Sequence, residues 1–578
     1  MVLHLRSVPR GFLNTLAGLL IIILITTLLN FQYVHLGNAG GGPEGARLDD
    51  EQSVTTKIPP NLSEHLLGAP CTIAPLTVVQ TVTVTVELPK ATGKSKFPVG
   101  VFTAHDEDYS SLLTDADLPV LAALRNYTLP SVDPSVSSPV FTSSFHARRR
   151  VFDQLYSIGS PTGPASWEYY LANLPPGRLP PLTHIAQHYI HTHQHPSPTA
   201  CKEQTRFLVL PSYRHGSGIG SIIHGVTHAL SAAIRSGRVL IYDERDGSGE
   251  REGPPAMLFS GNGEDCPGKK RGMGCFFEPI TSCSWSDVRF TDSEEGNANA
   301  VLFRPYDPNG NKEVKHPTLG YGTRYGDIPA VLGKLLQEWE ELASGNAGVT
   351  MSPNARKLWW RSQGAGYLAR LNPWAMARIR DNRRGTKLTR VGVRGTQTDL
   401  PMPFPLPANT FSIHVRHGDK ASEMDLVPFI NYLASAAEIA DANPSRGGPS
   451  KSVFLSTEDP TVIDEMLAFA ALDNPSKTSD TTSNLQWTFF YTKNLPRNNG
   501  GPKTEVKTGG KVETTLMHLG ELMIGLEAGS WVGTRNSNWC RLVEELAQVW
   551  VGGSAGSGEA PGVFIEVGGR GDWVDYHF

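Results

Sequence analysis

Short, apolar-rich runs alternate with helix-length segments twice along the chain, and this restricts the fold to a layered α/β arrangement. The first series opens with Phe207-Leu208-Val209-Leu210. It passes through a Gly-rich turn, His215-Gly216-Ser217-Gly218-Ile219-Gly220-Ser221, and a helical stretch over 222–234, to Val239-Leu240-Ile241-Tyr242. Strand, turn, helix, strand is the pattern of a βαβ unit. Helical patterns follow over 328–343 and 355–371, and a short one opens at Pro373. The second series places strands at 411–416, 452–456, 487–491, 531–532 and 563–567, with helices over 426–442, 461–471, 516–526 and 537–551. Two such series predict two Rossmann-like domains facing a cleft, over 201–400 and 401–578. Ligands in sheets of this kind sit beyond the carboxyl ends of the strands.

The other end of the chain has a different character. No charged residue occurs from Phe12 to Phe31, and about twenty helical residues span the ~30 Å of a hydrocarbon core. Arg6 and Arg10 precede the run, and no Lys or Arg follows it until Arg47. The positive-inside rule then leaves 1–10 as a cytosolic tail, 11–31 as a transmembrane signal anchor and the rest in a secretory lumen. A cleaved signal peptide is the competing reading, and the length of the run favours the anchor. From 32 to 200 the apolar periodicity is poor. The Gly40-Gly41-Gly42 tract, the Thr-Val alternation from Thr81 and the Pro-Ser pairs near Ser131 read as a largely irregular lumenal stem, with short helices near 148–156 and 167–174. Sequons at Asn61 and Asn126 suit a lumenal location.

Composition excludes two classes. The net charge of −4 is inconsistent with nucleic-acid binding through bulk positive charge, and six cysteines in 578 residues do not make a disulfide-dense miniature scaffold. Asp106-Glu107-Asp108 and Asp115-Ala116-Asp117 mimic metal-nucleotide triplets but have no strand before them. His184, His188, His191, His193 and His195 are close enough in sequence to suggest a metal site, although a polar helix and loop at the stem's end is the preferred reading. Arg570-Gly571-Asp572 is read as a chance tripeptide.

The chemistry-bearing segment is Phe411-Ser412-Ile413-His414-Val415-Arg416-His417-Gly418-Asp419-Lys420. A buried strand hands over to a turn rich in His, Arg, Asp and Lys, and alternation sends His414 and Arg416 to one face. A guanidinium held there matches phosphate oxygens bidentately, and Lys420 adds a point charge. An Arg–carboxylate bridge closing the strand end is the alternative. Likewise the glycines at 216–220 allow backbone N–H groups to approach a phosphate, or make a tight turn with no ligand.

Several of these segments together resemble the core α1,6-fucosyltransferases and, more loosely, the bacterial chito-oligosaccharide and protein O-fucosyltransferases. The resemblance rests on His414-Val415-Arg416 with Asp419-Lys420, on Trp359-Trp360-Arg361-Ser362-Gln363, on Tyr367-Leu368-Ala369-Arg370 with Pro373-Trp374, on Ser456-Thr457-Glu458-Asp459-Pro460 and on Thr534-Arg535-Asn536-Ser537-Asn538-Trp539-Cys540-Arg541. The glycines at Gly218 and Gly220 fall where that family has its own loop. The likeness covers about 201–550, in order.

It implies a glycosyltransferase of the two-domain B type: an inverting, metal-independent fucosyltransferase that moves fucose from GDP-fucose to a glycan or glycoprotein acceptor. The implied linkage is α1,6, and the implied location is the Golgi membrane, single-pass, with the catalytic domain lumenal. His414 and Glu521 would hold the guanine or its surroundings. Arg416 would bind the β-phosphate, helped by Gly218, Gly220 and Ser537. Lys420 would assist the departing diphosphate and Glu423 would be the general base. Without a metal, fixed cations must meet the charge that develops on the leaving phosphate. No cofactor is implied beyond the donor substrate, and a homodimer is left open. The family's pairing puts Cys201 with Cys283, and Cys266 with Cys275 is a plausible local bridge. Cys540 faces Gly533 where the family has a partner. The sequence also departs from the family. Its paired arginines become Arg416-His417, Lys420 and Glu423 stand one residue closer, and Glu521 replaces an aspartate. A C-terminal SH3-like domain is missing, which opens the acceptor to other glycans or to protein Ser/Thr. Another nucleotide-sugar transferase or a non-catalytic glycan-binding relative are the alternatives.

Overall fold

The computed structural model describes residues 109–127, 145–174, 182–210, 218–243, 266–267, 272–290, 298–303, 318–319, 328–347, 351–385, 387–391, 397–417, 426–442, 450–472, 486–492, 495, 497, 511–551 and 564–568. All of them lie in one compact unit, Val99–Phe578. The expected anchor at 11–31, the Thr-Val alternation, the sequon at Asn61 and the last residue of the sequon at Asn126 fall outside the described residues. Among the described residues no helix is long and apolar enough to cross a membrane.

Six helices come first: α1 (Tyr109–Leu112), α2 (Asp117–Arg125), α3 (Phe145–Tyr156), α4 (Trp167–Ala172), α5 (Thr183–Gln194) and α6 (Pro198–Glu203). This part of the expected stem is therefore helical where described. The reason is packing: Phe152, Leu155, Trp167, Tyr170, Ala186 and Ile190 are all buried in the main core. Their hydrophobic faces are short and interrupted by Pro and Gly, so periodicity alone understates them.

The first sheet contains β1 (Phe207–Leu210), β2 (Val239–Tyr242), β3 (Ala300–Phe303) and β4 (Thr318–Leu319). Its order is β2-β1-β3-β4 and every pairing is parallel. Helix α7 (Ile219–Arg235) crosses from β1 to β2, as the Gly-rich turn and the apolar period predict. Along β1, Leu208 and Leu210 enter one core while Phe207 and Val209 enter another on the opposite face, the period-two alternation of a strand buried on both sides. Strands β3 and β4 have no counterpart in the sequence-based expectation. Helices α8 (Ala330–Ala347), α9 (Pro353–Leu368) and α10 (Pro373–Gly385) follow. Ser352 caps α9 by accepting from the Ala355 N–H at 3.2 Å, with Pro353 at the first helical position.

The second sheet contains β5 (Lys387–Val391), β6 (Gln397–Pro401), β7 (Thr410–His414), β8 (Ser450–Ser456), β9 (Gln486–Thr492), β10 (Ser530–Gly533) and β11 (Phe564–Glu566), in the order β11-β10-β7-β8-β9-β5-β6. The first five in that order are parallel, and the β5–β6 hairpin closes one edge in the antiparallel sense. Helices α11 (Phe429–Ala442), α12 (Pro460–Leu472), α13 (Lys511–Leu526) and α14 (Asn538–Trp550) alternate with the strands. The two expected α/β series are thus present as two largely parallel sheets.

Helix α14 belongs by sequence to the second series but packs on α7 and α9 of the first. Glycines permit this close approach. A Cβ on Gly366 of α9 would fall 2.7 Å from a methyl group of Val549, and one on Gly364 would fall 2.5 Å from a methyl of Thr227 on α7. Tyr170 donates to the Trp550 carbonyl at 2.7 Å, and the Trp550 indole donates to the Gly366 carbonyl at 3.1 Å. The two sheets are therefore tied through a shared helical layer.

Candidate active site

Strands β7, β8, β9 and β10 run parallel, so their carboxyl ends form one rim. His414 ends β7, Arg416 follows it, and Glu521 reaches the end of β8 through Ser456. Beyond the last pair of β7 the chain continues through Val415 to Arg416 and His417, while β8 ends in Ser456 and runs into Thr457, Glu458 and Asp459. Arg416 is ion-paired with Glu458, and the backbone N–H of His417 donates to the same carboxylate at 2.9 Å. The acidic pair thus has a divided role: Glu458 holds the arginine, and Asp459 holds the next residue.

His417 is turned inward. Its Nδ1 lies 3.0 Å from an Asp459 oxygen and its Nε2 lies 2.9 Å from the Val427 carbonyl. Both ring nitrogens thus have partners. Asp459 also accepts from the N–H and hydroxyl of Thr461, at 2.9 and 2.7 Å, and so caps α12. His417 therefore fastens the turn after β7 to the start of α12, and its ring nitrogens are both taken up by that work.

His414 faces the other way. Ser456 donates its hydroxyl to Glu521 at 2.6 Å, and the same oxygen stands 3.3 Å from Nδ1 of His414. The serine proton is already committed, so Nδ1 carries the imidazole proton and Nε2 is left as an acceptor. That Nε2 is closed to water and has no hydrogen-bond partner among the described residues. Burial, with Arg416 and His518 adding to it, holds His414 near a pKa of about 3, so the ring is neutral. The Trp539 ring lies 6.3 Å from that of His414 and 6.1 Å from that of His518.

Glu521, on α13, is the hub of this rim. It accepts from Ser456 and from the Thr492 hydroxyl, and Arg497 approaches to 3.7 Å. The row His414–Ser456–Glu521–Thr492 thus links the ends of β7, β8 and β9. It leads into a cavity of about 360 Å³ between α10 and α13, lined by Ile379, Asn382, Thr492, Met517, Gly520 and Glu521 among others.

The two helix N-termini arrive from the opposite side. Gly218 is the N-cap of α7, in an extended conformation with open space where a Cβ would stand. Ser537 is the buried N-cap of α14 and accepts from the Cys540 N–H at 3.5 Å. The helices meet at Gly220, whose Cβ would lie 2.8 Å from the carbonyl carbon of Asn538. The Cys540 thiol donates to the His414 carbonyl at 3.7 Å, which sets the first turn of α14 against the end of β7. Burial pushes that thiol up to about 12. Free N–H groups at two helix starts and a guanidinium beyond a parallel strand form an anion-seeking arrangement.

No family model matches the chain, and no curated protein matches it. Among solved structures it is similar, at 12% identity and a TM-score of 0.31, to a point mutant of Arabidopsis thaliana FUT1 in complex with GDP, covering 74% of this chain and 85% of that one. It is also similar to POFUT1 in complex with GDP-fucose, at 12% identity and a TM-score of 0.28, over 62% of this chain and 98% of that one. Likeness at this level carries no argument, so the chemistry of the site stands on its own residues.

Of the residues singled out in the sequence, His414, Arg416, Gly218, Gly220, Glu521 and Ser537 are described: His414, Arg416 and Glu521 stand at the rim, and Gly218, Gly220 and Ser537 at the two helix starts. Lys420 and Glu423 lie outside the described residues. The structure adds Ser456, Thr492, Arg497, Asn538 and Trp539 to the site. Ser456, Asn538 and Trp539 sit inside the motifs that carry the family resemblance, which is the signal the sequence offers for them. Thr492 and Arg497 have none, because they reach the site from across the sheet.

Both expected cysteine pairs, Cys201–Cys283 and Cys266–Cys275, are bonded, and Cys540 is a buried free thiol against Gly533. The His-rich segment is helix α5. His191 and His195 stack at 4.2 Å, His195 Nε2 lies 2.9 Å from the Tyr367 hydroxyl, and His193 Nε2 lies 2.8 Å from the Arg238 carbonyl. Among the described residues no group of three or more His, Cys, Asp or Glu could hold a metal ion.

Proposed function

We propose that the chain is a glycosyltransferase that moves fucose from GDP-fucose to a glycan acceptor, with inversion and without a metal. The observation that carries this reading is the meeting of Gly220 and Asn538 beside the strand end that bears His414 and Arg416. Two helix starts meet beside the end of β7, and Arg416 follows that strand end, an arrangement suited to a leaving nucleoside diphosphate. Arg416 meets the β-phosphate, with the N–H groups after Gly218 and Ser537 assisting. The base occupies the side of the rim where His414 and Glu521 stand. An imidazole nitrogen with a vacant lone pair and a carboxylate both accept, which suits the N–H edge of guanine. Lys420 and Glu423 keep their assigned roles of leaving-group cation and base.

The α1,6 linkage, the acceptor class and the Golgi location belong to the same reading, supported by the motif order, the uncharged run at 12–31 and two disulfide bonds suited to an oxidising lumen. A second reading, nucleotide binding without transfer, is favoured by one observation: Arg416 already has a carboxylate partner in Glu458. The purified full chain separates the two. GDP binding with GDP-fucose turnover that is insensitive to chelator supports the transferase. GDP binding without turnover supports the second reading, and no GDP binding overturns both.

A further inference from the structure

Behind the two helix starts lies a buried ionic cluster that joins α7, α9 and α14. His224 of α7 is fully buried. Its Nδ1 lies 3.0 Å from the Asn538 side-chain oxygen, and its Nε2 lies 2.8 Å from a Glu545 carboxylate oxygen. The other Glu545 oxygen is ion-paired with Arg361 of α9. The orientation of the Asn538 amide is settled by its other contacts. Its oxygen also accepts from Arg541 at 3.3 Å, and its NH2 donates to the Ser221 hydroxyl at 2.8 Å. His224 thus meets an amide oxygen on one side and a carboxylate on the other. Burial acts to raise the Glu545 pKa, but Arg361 and His224 overcome it and hold it at about 2. Arg361 supplies the counter-charge to Glu545, and His224 bridges Glu545 to Asn538.

Asn538 is the first residue of α14, and the same residue whose backbone touches Gly220. A side chain pinned from three directions at that point fixes where both helices begin. We infer that His224 is a positioning residue for the diphosphate site: acting through Asn538, it locks the starts of α7 and α14 in one mutual orientation, so that their free N–H groups aim at a single phosphate position. His224 itself touches no ligand. This rests on the reading of the site as one for GDP-fucose and adds to it a determinant on the far side of the helices.

Misalignment of the two helix starts weakens contacts to phosphate and leaves contacts to the base alone. The test compares GDP with guanosine on the full chain, for His224→Gln, Asn538→Ala and the double variant, with melting temperature measured alongside. Each single variant should bind GDP about tenfold more weakly, and the double variant no more weakly than the worse single, because both remove one shared link. Guanosine affinity should not change. Asn538 is only partly buried, so Asn538→Ala decides the matter if His224→Gln fails to fold. A folded Asn538→Ala protein with wild-type GDP affinity overturns the inference, as does a double variant whose losses add. Wild-type protein that binds no GDP would instead overturn the functional reading beneath it.

Discussion

Gly220 of α7 and Asn538 of α14 meet backbone to backbone, with 2.8 Å between the Cβ position of the first and the carbonyl carbon of the second. No side chain fits in that space. Gly220→Ala should therefore push the helices apart, destabilise the protein by about 1–3 kcal/mol and lower GDP affinity. Gly274→Ala is the control, because a Cβ there also meets nothing within 4 Å and Gly274 has no part in the site. Calorimetric GDP titration of both variants checks this. Equal behaviour of the two would show that the close approach is not what the site needs.

Arg416 is a cation held at the rim by Glu458. Its replacement by Ala should lower kcat/KM for GDP-fucose by about a hundredfold or more, the scale of one lost charge-stabilising group. Arg416→Lys should recover little, since a point charge cannot reproduce the bidentate fork. Steady-state kinetics decide, and near-normal turnover by Arg416→Ala would remove the residue from the mechanism.

Three desolvated histidines make the fold sensitive to acid. His414 is held near about 3, and His184 and His195 near about 4, all below the ordinary 6.5; burial is the first cause in each case, with neighbouring charges adding to it for His414 and His195. The unfolded chain therefore binds more protons in this range. Their contribution to stability is full above 6.5 and is lost as pH falls through the interval toward the folded values. The melting temperature should drop steadily from pH 7 to pH 4, and His414→Gln should shallow that drop. A profile unchanged by the substitution would contradict the neutral state assigned to the ring.

Glu527 is fully buried at the end of α13. It accepts from Arg383 at 2.9 and 2.7 Å, from Tyr156 at 2.8 Å and from the Leu406 N–H at 2.9 Å. Replacing it with Gln leaves Arg383 without its counter-charge and should cost about 3–5 kcal/mol of stability. Urea denaturation measures the loss. This cluster ties α3 and α10 to α13, and Arg383 also lines the cavity beside Glu521, so stability is the readout here rather than GDP binding.

The parallel strands β1, β2 and β7 to β11 were legible because strand length and apolar content are local properties, whereas β3 to β6 were not. Phe207–Leu210 and Val239–Tyr242 are strands with the bounds their runs predict. The placement of His414 and Arg416 at a strand's carboxyl end, and of Gly218 and Ser537 at helix starts, also follows from short-range pattern, since a cap or a strand end is defined by its immediate neighbours. Only the tertiary structure decided what those residues meet. Glu458 finds Arg416, Glu545 finds His224 and Arg361, and Trp550 finds Tyr170 across most of the chain. The helices before residue 200 looked like loose stem for the same reason: their apolar faces are too short to declare themselves, and the layer that buries them is supplied by α8, α9, α10 and α14. Periodicity records contacts a few residues apart. Which distant surfaces are pressed together is set by how the two sheets share one helical layer, and that packing gives the buried charges their partners.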